Sequence, residues 1–394
     1  MNVSQKFEVM VGNKAVAHVA RLVRAKYISA FPITPQTTIV QYIADMVANG
    51  EIDAEFVNTE GELSAQASAL TAEAAGVRAF TATAGPGLLY MHHPMHATSN
   101  GRIPLVMAIM HRGTKGMDPD LSDMMAQRET GWMMLECENG QEILDTGIMA
   151  YKVAEDDRVR LPCIFAGDGY ILSYTDEPID IPDQAMVDAF LPPYKSKIPL
   201  MPDQGEESRR LLMAQWGVGQ DPQKRWRDQQ QAMENAREVI KEVNDDFRKA
   251  FGRGYGDGLV EEYRTRGAEA VIVAAGTIAS TARVAIDRLQ ADGKKVGLVK
   301  LKAFKPFPAD DFQRIAPKVR AMGVIDRNIS LGTGGWAFSE IRNAIYDVEE
   351  RPRTLQFHAG LSGKEVRVQD IMKIAENTLK AASGAEASAA AEWV

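Results

Sequence analysis

Glu60 and Glu62 flank a single glycine at the head of a run of small residues, Ala65 to Ala75. Acids at a helix amino terminus stabilise it by about 0.3–1 kcal/mol through the aligned peptide dipoles, which is reason enough for both. Arg112 follows the apolar run IPLVMAIMH. A guanidinium grips a carboxylate bidentately, and the end of a buried strand is where ligands collect; the rival reading is a surface arginine. Thr34, between Pro32 and Pro35, offers a hydroxyl donor or a simple loop cap.

Other residue types carry less. His92, His93 and His96 suggest a metal, but Pro94 is expected to break the face that a His-x-x-x-His pair needs, and no metal is expected. Gly332 to Gly335 (GTGG) could cradle a phosphate, yet it lacks the GxGxxG pattern and a Walker lysine, so a structural turn is preferred. Cys137 and Cys163 form no CxxC and cannot hold a four-cysteine iron–sulfur cluster, so any cluster must sit on another chain. The 19 methionines read as core filling.

The elements that must position these groups alternate strand and helix. Strands are expected at 27–30, within 54–59, 78–85, 103–111 and near Cys163, with helices over 15–25, 39–48 and 61–75. The prolines of FPITPQTT make 31–38 a loop. Such alternation predicts a mostly parallel sheet with helices on both faces. From about Lys195 the composition turns polar and charged, and Met233, Ala236, Val239, Ile240, Val243 and Phe247 recur at helical spacing. A second strand–helix series follows from residue 269. The expected organisation is an α/β domain with its connector over 1–235, a helical linker over 236–255, a carboxyl-terminal α/β domain over 256–380 and a flexible tail over 381–394. The net charge of −8 argues against nucleic acid or an acidic membrane surface as partner. No signal-like or membrane-spanning run is evident, so a cytoplasmic location is expected.

The segments FPITPQTT, TEGELSAQASALTAEAAGVRAFTATAGPGLLYM, AQRETGW and IPDQAMVDAFLPPY resemble the alpha subunit of the 2-oxoacid:ferredoxin oxidoreductases, the pyruvate:ferredoxin oxidoreductase family. The resemblance covers nearly the whole chain. It implies a thiamine diphosphate pyrimidine-binding domain and a second, transketolase carboxyl-terminal-like α/β domain. It places Glu62 at N1′ of the aminopyrimidine and leaves Glu60 as a helix-start acid. By the same resemblance Arg112 and Thr34 meet the substrate carboxylate, Phe31 stands near the substrate where a tyrosine is common, and Pro32 and Gly85 lie beside the cofactor. Gly167–Asp168–Gly169 would open a diphosphate–magnesium motif, but no asparagine follows at the family spacing, so Asp168 is expected to be structural.

The activity implied is oxidative decarboxylation of a 2-oxoacid with coenzyme A. Pyruvate is the default substrate, and an aromatic 2-oxoacid such as phenylglyoxylate competes with it because the 111–132 loop and Phe31 depart from the pyruvate-type pattern. Thiamine diphosphate would be shared with a beta subunit that carries magnesium, with [4Fe-4S] clusters on partner chains. Gamma and ferredoxin-like delta subunits, and ferredoxin or an NAD-linked subunit as acceptor, complete the implied assembly. The alternatives are a non-oxidative decarboxylase or transketolase-type chain, and a scaffold or electron-transfer flavoprotein-like subunit.

Overall fold

The computed structural model describes residues 7–196, 213, 219, 221–385 and 390–394. Its seven-stranded sheet runs, in spatial order, Ala303–Lys305, Met133–Glu136, Cys163–Gly167, Val106–Met110, Ala79–Thr83, Tyr27–Ala30 and Glu55–Asn58. The last six are mutually parallel, and Ala303–Lys305 is an antiparallel edge. Val106–Met110 is buried along its whole length. The pleat explains how: Val106, Ala108 and Met110 face one apolar cluster while Met107 and Ile109 face another. Helices Gly12–Leu22, Gly140–Glu155 and Pro222–Phe251 cover the first face. Helix Glu62–Ala74 and the second α/β unit cover the other.

The second unit is built on six strands in the order Glu392–Trp393, Arg353–His358, Ala321–Asp326, Ala270–Ala274, Val296–Leu301 and Val260–Tyr263, of which only the last is antiparallel to its neighbour. Helices Thr277–Ala291 and Val368–Ala382 cover its outer face. A separate antiparallel pair, Phe7–Val11 with Asp176–Asp180, completes the sheets. Two α/β units with largely parallel sheets are the architecture that the alternating pattern predicts. Among the described residues no helix is long and apolar enough to cross a membrane.

Two boundaries differ from expectation. The linker expected over 236–255 is the later part of one 30-residue helix, Pro222–Phe251, so the division at 235/236 falls inside an element. That helix starts at Asp221, whose side chain accepts from Gln223 N–H at 3.0 Å, and stops at Gly252 in the left-handed region, φ 75°. Its apolar stripe of Ala232, Ala236, Val239, Ile240, Val243 and Phe247 is buried. The 381–394 tail is not free at its end. Glu392–Trp393 extends the sheet beside Phe357–His358, Val394 N–H donates to His358 O at 2.9 Å, and the Trp393 and His358 rings lie 4.8 Å apart. The rest of that stretch, 386–389, and most of the loop after Lys195 lie outside the described residues.

Charge as well as apolar contact joins the two units. Lys300 and Lys302 point from the second unit at Glu142 of the first, 2.6 and 2.7 Å away. Arg283 pairs with Glu138 at 2.8 Å. Burial alone would raise Glu138, but Arg283 and Lys300 hold it down at about 2.

Candidate active site

Glu62 is the first residue of helix Glu62–Ala74 and follows the strand Glu55–Asn58. It is buried, and among the described residues no donor holds its carboxylate. Two residues earlier the environment inverts. Glu60 is exposed and accepts from the Ser64 hydroxyl, which holds its pKa below the usual range. One acid is spent on its own helix; the other is buried and unclaimed.

The wall beside Glu62 is the turn after strand Ala79–Thr83. A Cβ placed on Gly87 would lie 2.6 Å from Glu62 Oε1 and 2.5 Å from Thr83 Oγ1. Gly87 is glycine because those two oxygens occupy the space a side chain would need. Thr83 Oγ1 is itself buried, with no partner among the described residues. The result is a small cradle with an acceptor on one side, an uncommitted hydroxyl on another and bare backbone between them. A buried carboxylate beside an uncommitted hydroxyl is a donor set compatible with a ring that carries hydrogen-bonding nitrogens, as the pyrimidine of thiamine diphosphate does.

Arg112 lies at the same carboxyl-terminal edge, just beyond Val106–Met110. Its Nη1 donates to Thr34 O at 3.3 Å and its Nε to Gly116 O at 3.4 Å. Gly85 takes φ +48°, and a Cβ there would press on Arg112 Cβ and Cγ at 3.1 Å. Thr34, Gly85 and Arg112 are thus brought together, with Gly85 and Gly87 linking them to Glu62. The 31–36 loop is pinned from inside: Gln36 Nε2 donates to Ala82 O at 2.8 Å and Asn13 Nδ2 to Pro35 O at 2.8 Å. Phe31 is half-buried and Pro32 exposed on this loop. The Thr34 hydroxyl bonds to no other described residue.

Below Arg112 runs a buried polar chain with no signature in the sequence. His111 Nδ1 meets Asp123 Oδ1 at 2.8 Å, and its Nε2 meets Glu136 Oε2 at 2.8 Å. Burial alone would lower the His111 pKa, but the two carboxylates hold it well above its usual range. Burial pushes Glu136 up to about 7 against the pull of His111. These residues come from three segments and share no spacing; only the sheet unites them.

The remaining candidates resolve individually. Asp168 accepts from Arg327 and from the Thr277 hydroxyl and N–H, so its carboxylate joins the two units. Gly169 packs its backbone against the His111 carbonyl and Pro35, where any side chain would collide. At GTGG, Asp326 fills the helix amino terminus: its Oδ1 accepts from Ala337 N–H at 2.8 Å and its Oδ2 from Phe338 N–H at 3.1 Å. A phosphate would meet a carboxylate there. Pro94 does not break the histidine face. It sits in the first turn of helix His92–Asn100, where no internal donor is required, and His92 Nε2 and His96 Nε2 lie 3.3 Å apart. Among the described residues no group of three potential ligands forms around them.

The chain matches the family described as pyruvate flavodoxin/ferredoxin oxidoreductase, thiamine diphosphate-binding, over residues 18–245, and pyruvate:ferredoxin oxidoreductase core domain II over residues 268–371. Pyruvate synthase subunit PorA of Pyrococcus horikoshii is 40% identical over 378 residues, covering 94% of each chain. Ketoisovalerate oxidoreductase subunit VorA of the same organism is 36% identical over 389 residues, covering 98% of this chain and 97% of its own. Among solved structures, a 2-oxoglutarate:ferredoxin oxidoreductase from Magnetococcus marinus superimposes with a TM-score of 0.68 at 18% identity. That match covers 95% of this chain, which spans only 66% of the Magnetococcus chain. A split-gene transketolase gives a TM-score of 0.53 at 12% identity, covering 93% of this chain and 98% of that one. At these identities the two structures bear on the fold alone.

Proposed function

The chain belongs to the pyruvate flavodoxin/ferredoxin oxidoreductase family, and from that membership we propose that it is the alpha subunit of a thiamine diphosphate-dependent 2-oxoacid oxidoreductase. The reaction is 2-oxoacid plus coenzyme A plus two oxidised ferredoxins giving acyl-coenzyme A, carbon dioxide, a proton and two reduced ferredoxins. The observation that carries the reading is the buried Glu62 carboxylate, held by no donor among the described residues and packed beside Gly87 and the Thr83 hydroxyl. Bound thiamine diphosphate supplies the carbon nucleophile and the electron sink for decarboxylation. Glu62 holds a proton between its carboxylate and N1′ of the ring, and the small residues at 85–87 let the ring approach. Arg112 takes the substrate carboxylate and the Thr34 hydroxyl adds a donor; Phe31 borders the substrate tail. Pro32, on the 31–36 loop, and Gly85, in the turn after Ala79–Thr83, shape the cofactor side.

The diphosphate, its magnesium and the [4Fe-4S] clusters belong to partner chains, a beta subunit first and then gamma and delta subunits. The two cysteines of this chain, Cys137 and Cys163, are both buried and free. Pyruvate is the substrate favoured by the PorA likeness, with ferredoxin as acceptor. Assay of the purified complex with a viologen dye and a 2-oxoacid panel tests both: pyruvate is expected to lead. A lead by 2-oxoisovalerate or phenylglyoxylate, or reduction of NAD alone, would revise the substrate or the acceptor. Glu62→Gln is expected to abolish turnover and proton exchange at the thiamine C2 position with the fold intact, while Glu60→Gln costs under about 1 kcal/mol of helix stability and little activity. Normal C2 exchange in Glu62→Gln would remove the residue from the cofactor site.

A further inference from the structure

Four N–H groups converge on the buried carboxylate of Asp123. Gly85 N–H and Arg112 N–H donate to Oδ2 at 3.0 and 3.1 Å. Met124 N–H donates to Oδ1 at 2.7 Å, and His111 Nδ1 lies 2.8 Å from the same oxygen. A carboxylate accepts only, so Nδ1 carries the hydrogen, and His111 is braced from behind by Glu136 at 2.8 Å. All three side chains are excluded from water. Two of the four donors are backbones at the proposed site: Gly85, placed beside the cofactor and pressed against the Arg112 stem, and Arg112 itself, placed at the substrate. Among the described residues the guanidinium is steered only by long contacts to Thr34 O and Gly116 O. Its base, by contrast, is fixed by charge-assisted bonds, the stronger kind.

We propose that Asp123, braced by the His111–Glu136 pair, is a positioning residue of the 2-oxoacid site, holding the Arg112 backbone and the Gly85 turn in the register that presents the guanidinium to the substrate carboxylate. The inference rests on the reading of Arg112 as the substrate's anchor. The carboxylate is needed at this point because a backbone N–H pair facing one oxygen and a ring N–H facing the other leave no place for a donor. An amide at 123 would set its NH2 against one of those pairs.

The test uses the assembled complex. Asp123→Asn is expected to raise KM for the 2-oxoacid about tenfold or more, the size expected when a buried charge-assisted bond is lost, with a smaller change in kcat. Thiamine C2 proton exchange without substrate, which reports on Glu62, is expected to change much less than KM. In the Arg112→Lys/Asp123→Asn double variant the two losses should not multiply, because the second change leaves nothing further to misplace. Multiplying losses, or C2 exchange falling in step with turnover, would overturn the positioning role. An unchanged KM in Arg112→Lys would overturn the substrate reading and this inference with it, so the two failures are distinct. If Asp123→Asn does not assemble, position 111 decides. His111→Asn keeps a donor at the Nδ1 position and is expected to retain a near-normal KM. His111→Gln moves the donor toward Glu136 and should reproduce the KM defect. The reverse order, or equal defects, would overturn the proposal.

Discussion

The difference between Glu60 and Glu62 lies in two residues' worth of chain geometry. Gly61 is extended at φ −178°, and the next residue turns inward at the head of the helix. The type and spacing of the acids are visible in the sequence; which one meets water is decided by the Gly85–Gly87 turn some 25 residues later, and only the fold brings that turn alongside. Gly87→Ala is therefore expected to be as damaging as an active-site substitution. Its methyl would overlap Glu62 Oε1 and Thr83 Oγ1, and overpacking of a tight site costs about 1–3 kcal/mol. The expected result is a loss of kcat/KM of at least about tenfold with the complex still assembled, partly restored when Thr83→Ala is added to make room. A fully active Gly87→Ala complex would mean that the cradle is not where the cofactor ring sits. Asp123, His111 and Glu136 were beyond any pattern, since they are 12, 13 and 25 residues apart along the chain and carry no motif chemistry.

Among the elements, those with long apolar runs were legible: Val106–Met110, Ala270–Ala274 and Val296–Leu301 lie where their composition puts them. Met133–Glu136 was not, because a strand ending in an acid does not read as buried. It is buried throughout, and its acid is tolerated because His111, from the end of Val106–Met110 two strands away, reaches it to share a proton. Ala303–Lys305 was equally hidden: it leaves the second unit's series to edge the first sheet. The Glu136–His111 pair makes a testable link between strand burial and pH. Folding raises Glu136 from an ordinary value of 4.5 to about 7 and raises His111 above 6.5. The native chain thus keeps protons that the unfolded chain releases, and stability from the pair is lost as pH rises from about 4.5 through 7 and beyond. The charges facing the pair are Asp123, Asp168 and Arg327. Glu136→Gln, which cannot release that proton, is expected to show a flatter dependence of melting midpoint on pH between 5 and 8. A variant whose midpoint falls as steeply as the parent would show that the pair exchanges no proton on unfolding.

At the scale of the whole molecule, one side of the chain is tied by charge and the other is open. The two α/β units are joined by Lys300, Lys302, Arg283 and their acids, and by Arg327 on Asp168. Breaking such a buried pair costs about 3–5 kcal/mol, so hinge motion between the units is not the natural way to admit a cofactor. The open side is the edge that carries Glu62. Leu63, Leu89 and Tyr90 are 37%, 38% and 59% exposed there, near a carboxylate that no donor among the described residues holds. Apolar side chains around an unclaimed acid are poor solvent-facing surface but good cover for a second polypeptide that brings the rest of the cofactor. On the reading proposed for Glu62, the assembly interface is expected to run across the pyrimidine site, not behind it. Leu89→Glu with Tyr90→Asp is expected to leave the isolated chain's melting midpoint within a few degrees of the parent, since both residues face outward, yet to prevent association with the beta subunit in light-scattering chromatography and to abolish retention of thiamine diphosphate. The parent chain alone should likewise bind the cofactor weakly in calorimetry. Normal assembly of the double variant, or tight stoichiometric binding by the lone chain, would locate the partner elsewhere and make this edge a self-sufficient site.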